Sequence, residues 1–252
     1  INESKLDEAF SVLPSTLRKV ADFLYDEFNI LSPSVVSYEG QILSTFLICF
    51  YGKANQVKTE FLRWFWACGL NEQLRGKPDD YTVRILNEWM NFPKDKYLIG
   101  HSVPSFTSRD FRTRRLMAGS ALTNTFKMLF SKSKACDLVS GQFVPASEFL
   151  SNISTSQFVP VFEKENLTEN SGGNSFSAKI FANTVLIDSD KNPRNVNILY
   201  SITQCLEKGD LKTLESQFIT KDAAIAASQK DIQKFLLLRS ETLYRFATNL
   251  MT

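Results

Sequence analysis

Apolar residues recur at three- and four-residue spacing along most of the chain, and the first third divides into four such stretches joined by short polar breaks. From Pro14 to Phe28 the positions Leu17, Val20, Ala21, Leu24 and Phe28 line one helical face, and Pro14 suits a first turn, where a missing N–H costs nothing. After Ser32-Pro33-Ser34, Ile42, Phe46, Cys49 and Phe50 keep the same period until Gly52. Val57, Phe61, Trp64, Phe65 and Cys68 form a third face that ends at Gly69, with Trp66 off the stripe and expected at the surface. A fourth helix opens near Asp79, a capping residue, and carries Tyr81, Ile85, Leu86 and Trp89.

Between Asn91 and Ser108 the period is lost to Pro93, Gly100, Pro104 and several hydroxyl residues, which places a domain boundary near Pro104 and divides the chain into 1–104 and 105–252. A further helix is expected from Asp110 to Phe130, with Leu122, Phe126, Leu129 and Phe130 turned inward. Gln142-Phe143-Val144 reads as a short extended piece, followed by a helix opened by Ser147. Two β-rich runs, Ser154 to Phe162 and Thr184 to Ile187, flank a polar loop containing Gly172-Gly173. The last third is helical again: Val196, Leu199, Ile202 and Leu206 share one face, and Ile225, Ile232, Phe235, Leu236, Leu243, Phe246 and Leu250 form a long regular one.

Composition agrees with a mainly α protein, since 21 Phe, 7 Tyr and 3 Trp stand against only 10 Gly and 8 Pro in 252 residues. The formal charge of +2 gives no global argument for nucleic acid, so any such argument is local. Cys49, Cys68, Cys136 and Cys205 are widely spaced among apolar residues, which implies buried thiols and a reducing, cytoplasmic setting rather than a zinc or redox motif. The longest apolar run, Ile42 to Tyr51, is too short to span a bilayer. The chain opens on Ile1 with no cleavable leader, from which a piece of a longer protein is expected.

With His101 as its one histidine, the chain lacks the pair that HExxH zinc chemistry needs, and no G-x-S-x-G turn presents a serine to it. Phosphate-binding glycine loops are missing too. The positive feature is local: between 109 and 134 lie Arg109, Arg112, Arg114, Arg115, Lys127, Lys132 and Lys134, with Asp110 the single acid. If Arg112 and Arg115 share a helical face, their forked donors suit neighbouring phosphates; a solvated face, or pairing with carboxylates of the other domain, is the alternative. Phe61, Trp64, Phe65 and Trp66 could stack bases, although the spacing of Phe61, Trp64 and Phe65 points inward.

The order of several pieces resembles the GmrSD-type restriction endonucleases, bacterial modification-dependent defence proteins with an N-terminal nucleotide-handling domain and a C-terminal HNH nuclease domain. The resemblance covers Leu17 to the C-terminus: Phe61-Leu62-Arg63-Trp64-Phe65-Trp66, then Asp137, Gly141 and Phe143, then Ser156-Gln157-Phe158-Val159-Pro160 where the family has His-His-Ile-Phe-Pro. Asn183-Thr184-Val185-Leu186-Ile187, Asn192 and Phe235-Leu236-Leu237-Leu238-Arg239 follow in the family's order. It implies a helical bundle domain followed by an α+β, HNH-like (ββα) domain embedded in helices.

The resemblance also implies lost chemistry. Where the family has a general base and a metal ligand, this chain has Gln157 and Ser156, and neither residue type does that work. Asn183 and Asn192 remain. The expected function is therefore a non-catalytic module of a restriction or phage-defence protein, without a cofactor, that binds DNA through its basic segment or holds a partner such as a nucleotide-handling domain or another defence subunit. A divergent Mg²⁺ nuclease using Glu163, Glu165, Asp188 and Asp190 with the two asparagines is one alternative, and a structural or oligomerisation domain is another.

Overall fold

Helix α1 runs from Glu3 to Phe28 and buries Val20, Leu24 and Phe28 of the stripe its sequence lays out, while Leu17 and Ala21 are exposed and Thr16 is buried in line with Val20. Pro14 lies inside it rather than in its first turn, because the helix begins a full three turns earlier. The ring removes one main-chain hydrogen bond, while Ser15 Oγ and Thr16 Oγ1 both donate to the Val12 carbonyl at 2.8 and 3.0 Å. Asn29, at φ 55°, closes the helix in the left-handed region that asparagine tolerates. This computed structural model describes residues 3–91, 105–150, 157–163, 178–188 and 196–251, with side chains from Phe10 onward.

Helices α2 (Glu39–Phe50), α3 (Ala54–Leu70) and α4 (Asp79–Asn91) complete the first group. Gln41 pins the start of α2 twice, accepting from Tyr38 N at 3.1 Å and donating to the Phe65 carbonyl of α3 at 2.8 Å. Trp66, expected at the surface, is only 3% exposed and meets Phe28 edge-on at 5.8 Å. The reason is that α3 has neighbours on several sides: α1 takes Trp66, Trp89 of α4 takes Phe61 and Trp64, and the terminal helix packs on it as well. A single-stripe reading fails for such a helix.

The helix expected from Asp110 to Phe130 is two helices, α5 (Ser108–Thr113) and α6 (Ala121–Lys132). Between them Arg115 forms a bridge with Ile180, Leu116 N donates to the Lys179 carbonyl at 2.8 Å, and Gly119 turns the chain at φ 73°. Ser120 then restarts the helix by accepting from Thr123 N. After the short α7 (Ala146–Phe149), strands β1 (Phe158–Pro160) and β2 (Thr184–Leu186) pair antiparallel, with Phe158 opposite Leu186 and Val159 opposite Val185.

Four helices close the chain: α8 (Ile198–Lys208), α9 (Leu211–Ser216), α10 (Lys221–Ser228) and α11 (Ile232–Met251). The long apolar face read from Ile225 to Leu250 breaks at Lys230, whose φ of 57° turns α10 into α11. The fold is mainly helical. Its buried side chains form one cluster that continues across position 104: α6 packs on α3, α11 packs on α3, and Phe126 meets Phe181 at 4.6 Å. All four cysteines are buried and free. No described helix is long and apolar enough to cross a membrane.

Candidate nucleic-acid interface

The motif positions around the two strands resolve into a buried frame. Asn183, wholly buried, donates from Nδ2 to the Phe162 and Ala178 carbonyls at 2.8 and 2.7 Å and accepts from Phe162 N at 3.1 Å. Its amide is thereby committed to clamping both sides of the segment between the strands. Gln217 plays the same part beside it, bonding Leu186 N and O and the Cys136 carbonyl at 3.0, 2.8 and 2.7 Å. Arg239, also wholly buried, bonds the Ala182 and Gln217 carbonyls. Burial pushes its pKa down to about 9, so it remains a cation at neutral pH.

Gln157 lies just before β1 and its carbonyl accepts from Ile187 N at 2.9 Å. Ser156, Asn192, Glu165, Asp190 and His101 lie outside the described residues. Asp137 closes a turn, accepting from Val139 N, Ser140 N and Ser140 Oγ, and Gly141 supplies the left-handed residue that the turn needs. Among the described residues no three His, Cys, Asp or Glu side chains gather as metal ligands do.

The basic segment does not form one face. Arg112 and Arg115 share no helix, because α5 ends at Thr113 and Arg115 sits in the extended link. Lys127 faces the core and is wholly buried, where desolvation lowers its pKa to about 8; this removes it from the phosphate-binding set. Lys132 and Lys134 are exposed at the far end of α6, a helix roughly 18 Å long by its rise per residue, and Lys132 donates to the Glu27 carbonyl at 3.2 Å. Arg109, Arg114 and Arg115 are exposed, and Arg112 is half-buried.

What the fold does assemble is a cleft of about 520 Å³ between the turn after α3 and the link after α5, lined by Tyr38, Glu72, Arg75, Arg114, Arg115 and Met117 among others. Arg75 Nη1 reaches both carboxylate oxygens of Glu72 at 3.1 and 3.2 Å, and Arg114 Nη1 pairs with the same carboxylate. Arg114 also bonds Asp110 through Nε at 3.2 Å. Partial burial works to raise the Asp110 carboxyl, but hydrogen bonds from Thr107 and the Arg114 guanidinium outweigh it and hold it below the usual carboxylate value. Arg115 and Arg109 make no ion pair with any described residue, so the three guanidinium groups lining the cleft outnumber the two carboxylates, Glu72 and Asp110, that pair with them. The Tyr38 hydroxyl is buried without a hydrogen-bond partner, and burial, then the Glu72 carboxylate, push its pKa up.

No family model matches the chain, and neither does any curated protein or solved structure. Of the basic residues singled out in the sequence, Arg114 and Arg115 line the cleft and Arg109 lies on the adjoining α5. Tyr38, Glu72 and Arg75 were missed. The local signal that could have marked them is the polar Asn71-Glu72-Gln73-Leu74-Arg75-Gly76 stretch, with an i,i+3 acid–base pair directly after a buried helix.

Proposed function

We propose that this chain is a non-catalytic nucleic-acid-binding module that engages the phosphate backbone through Arg75, Arg114 and Arg115, with Arg109 beside them. The observation that carries the reading is the excess of guanidinium over carboxylate groups in a cleft of ligand size. Guanidinium groups suit this role because they stay charged and present donors in a fork that matches phosphate oxygens. Backbone contacts of this kind position a duplex without reading its sequence. The setting is the one that the motif resemblance implies, a bacterial restriction or phage-defence protein of the GmrSD type with an HNH-like part that has lost its histidines. The burial of Asn183, and its three main-chain hydrogen bonds, weigh against the divergent-nuclease alternative.

The test is fluorescence anisotropy with a labelled duplex, comparing the wild-type chain with an Arg114→Ala/Arg115→Ala variant and with Lys134→Ala at the opposite end of α6. The double variant loses affinity by at least tenfold, about 1.4 kcal/mol, while Lys134→Ala binds as wild type. Equal binding by all three removes the cleft from the interface.

A further inference from the structure

The cleft already holds an anion, and that anion belongs to the chain. Glu72 follows α3 at φ 50°, a backbone conformation that glutamate seldom adopts. The turn aims its carboxylate, 16% exposed, at the guanidinium groups of both Arg75 and Arg114. A carboxylate seated between two such forks takes the place that the two free oxygens of a phosphodiester would fill, with the same single charge. Tyr38 lines the same cleft, and its hydroxyl is buried without a hydrogen-bond partner.

We infer that Glu72 is an intramolecular stand-in for a phosphate group, occupying Arg75 and Arg114 in the free protein and displaced when a phosphate enters the cleft, where the Tyr38 hydroxyl gains its acceptor. The inference rests on the nucleic-acid reading of this cleft. Displacement is within reach because the Arg75 side of the pair is largely in water, where ion pairs are weak. A duplex also presents neighbouring phosphates to Arg115 and Arg109, so its second and third contacts are made at high effective concentration. Glu72 then sets a threshold: isolated phosphate competes poorly with it, and an array of phosphates succeeds.

The experiment measures binding of a labelled 20-base-pair duplex, and of inorganic phosphate by thermal shift, to the wild-type chain, Glu72→Gln, Glu72→Gly and Tyr38→Phe. Removing the resident charge tightens duplex binding about five-fold, the worth of a partly exposed ion pair. Tyr38→Phe weakens it about two- to three-fold, in line with one lost hydrogen bond. Glu72→Gly serves where Glu72→Gln misfolds, since glycine adopts the turn without strain. Duplex binding that depends on Arg114 yet is unchanged or weaker in both folded Glu72 variants overturns the stand-in and leaves the nucleic-acid reading in place. Phosphate that stabilises the Glu72 variants more than wild type, with no duplex binding by any of them, supports the stand-in and overturns the nucleic-acid reading. Absence of both ligands from every variant overturns both.

Discussion

Arg239, on the last helix, donates from Nε and Nη2 to the main-chain carbonyl of Gln217 at 3.2 and 3.1 Å. Its Nη1 reaches the Ala182 carbonyl at 2.9 Å, so one wholly buried guanidinium ties α11 both to the turn after α9 and to the approach to β2. Gln217 passes the restraint on through its own amide to Leu186 and Cys136. Removing the guanidinium orphans two buried carbonyls, so Arg239→Ala costs about 3–5 kcal/mol of unfolding free energy in urea. Lysine does not rescue it, because a compact ammonium lacks the fork that spans both acceptors.

Asn183 separates scaffold from site. Asn183→Ala leaves the Phe162 amide and two carbonyls without their partner, for a loss of about 2–3 kcal/mol. Duplex affinity, measured well below the melting temperature, stays at the wild-type value. A variant that is stable but no longer binds would return Asn183 to the functional set.

Lys127 gives the pH dependence. Its pKa is lowered by burial from 10.5 to about 8, so between those values the unfolded chain binds more protons than the folded one. Its contribution to instability is therefore fully present below about pH 8 and is relieved as pH rises toward 10.5. Lys127→Met removes that slope, so its stability no longer rises between about pH 8 and 10.5 as that of the wild type does. Urea denaturation of both proteins at pH 7, 8 and 9 measures it.

Gly69 lets α3 approach α6. A methyl group there runs into Thr125 Oγ1 and comes within 3.2 Å of Ser37 Oγ, the two hydroxyls that bond each other at 2.6 Å. Gly69→Ala lowers stability by about 1–3 kcal/mol, and Gly69→Ala/Thr125→Ala recovers part of the loss. Equal stability of wild type and the single variant would show that the helices part freely.

Most helices were legible in the periodicity because a helix with one buried apolar face repeats every 3.6 residues, as α4 does; in α2 the helix was legible but not its face, since Gln41, Ser44, Thr45 and Ile48 are buried while Ile42, Phe46 and Phe50 are only half-buried. Trp66 was misplaced because α3 is covered on more than one side, and a stripe says nothing about a helix without a free face. The breaks at Gly119-Ser120 and Lys230 were passed over because apolar spacing happens to continue across them, although Gly followed by a capping Ser is itself a restart signal. Asn183 and Arg239 stood out as motif positions, yet their roles depend on partners 21 and 57 residues away. The cleft was half legible: Arg114 and Arg115 lie in a visible basic run, while Glu72 and Arg75 reach them only through the packing of α3 against the later helices.

The most direct test of phosphate binding by the cleft is the salt dependence of duplex affinity for the wild-type chain and for Arg115→Ala, which removes the cleft cation that has no ion pair among the described residues. For three backbone contacts, log K falls with log [KCl] at a slope of about −2.7, and the Arg115→Ala slope is shallower by about 0.9. Equal slopes for the two proteins, or an affinity that salt does not change, would contradict the account.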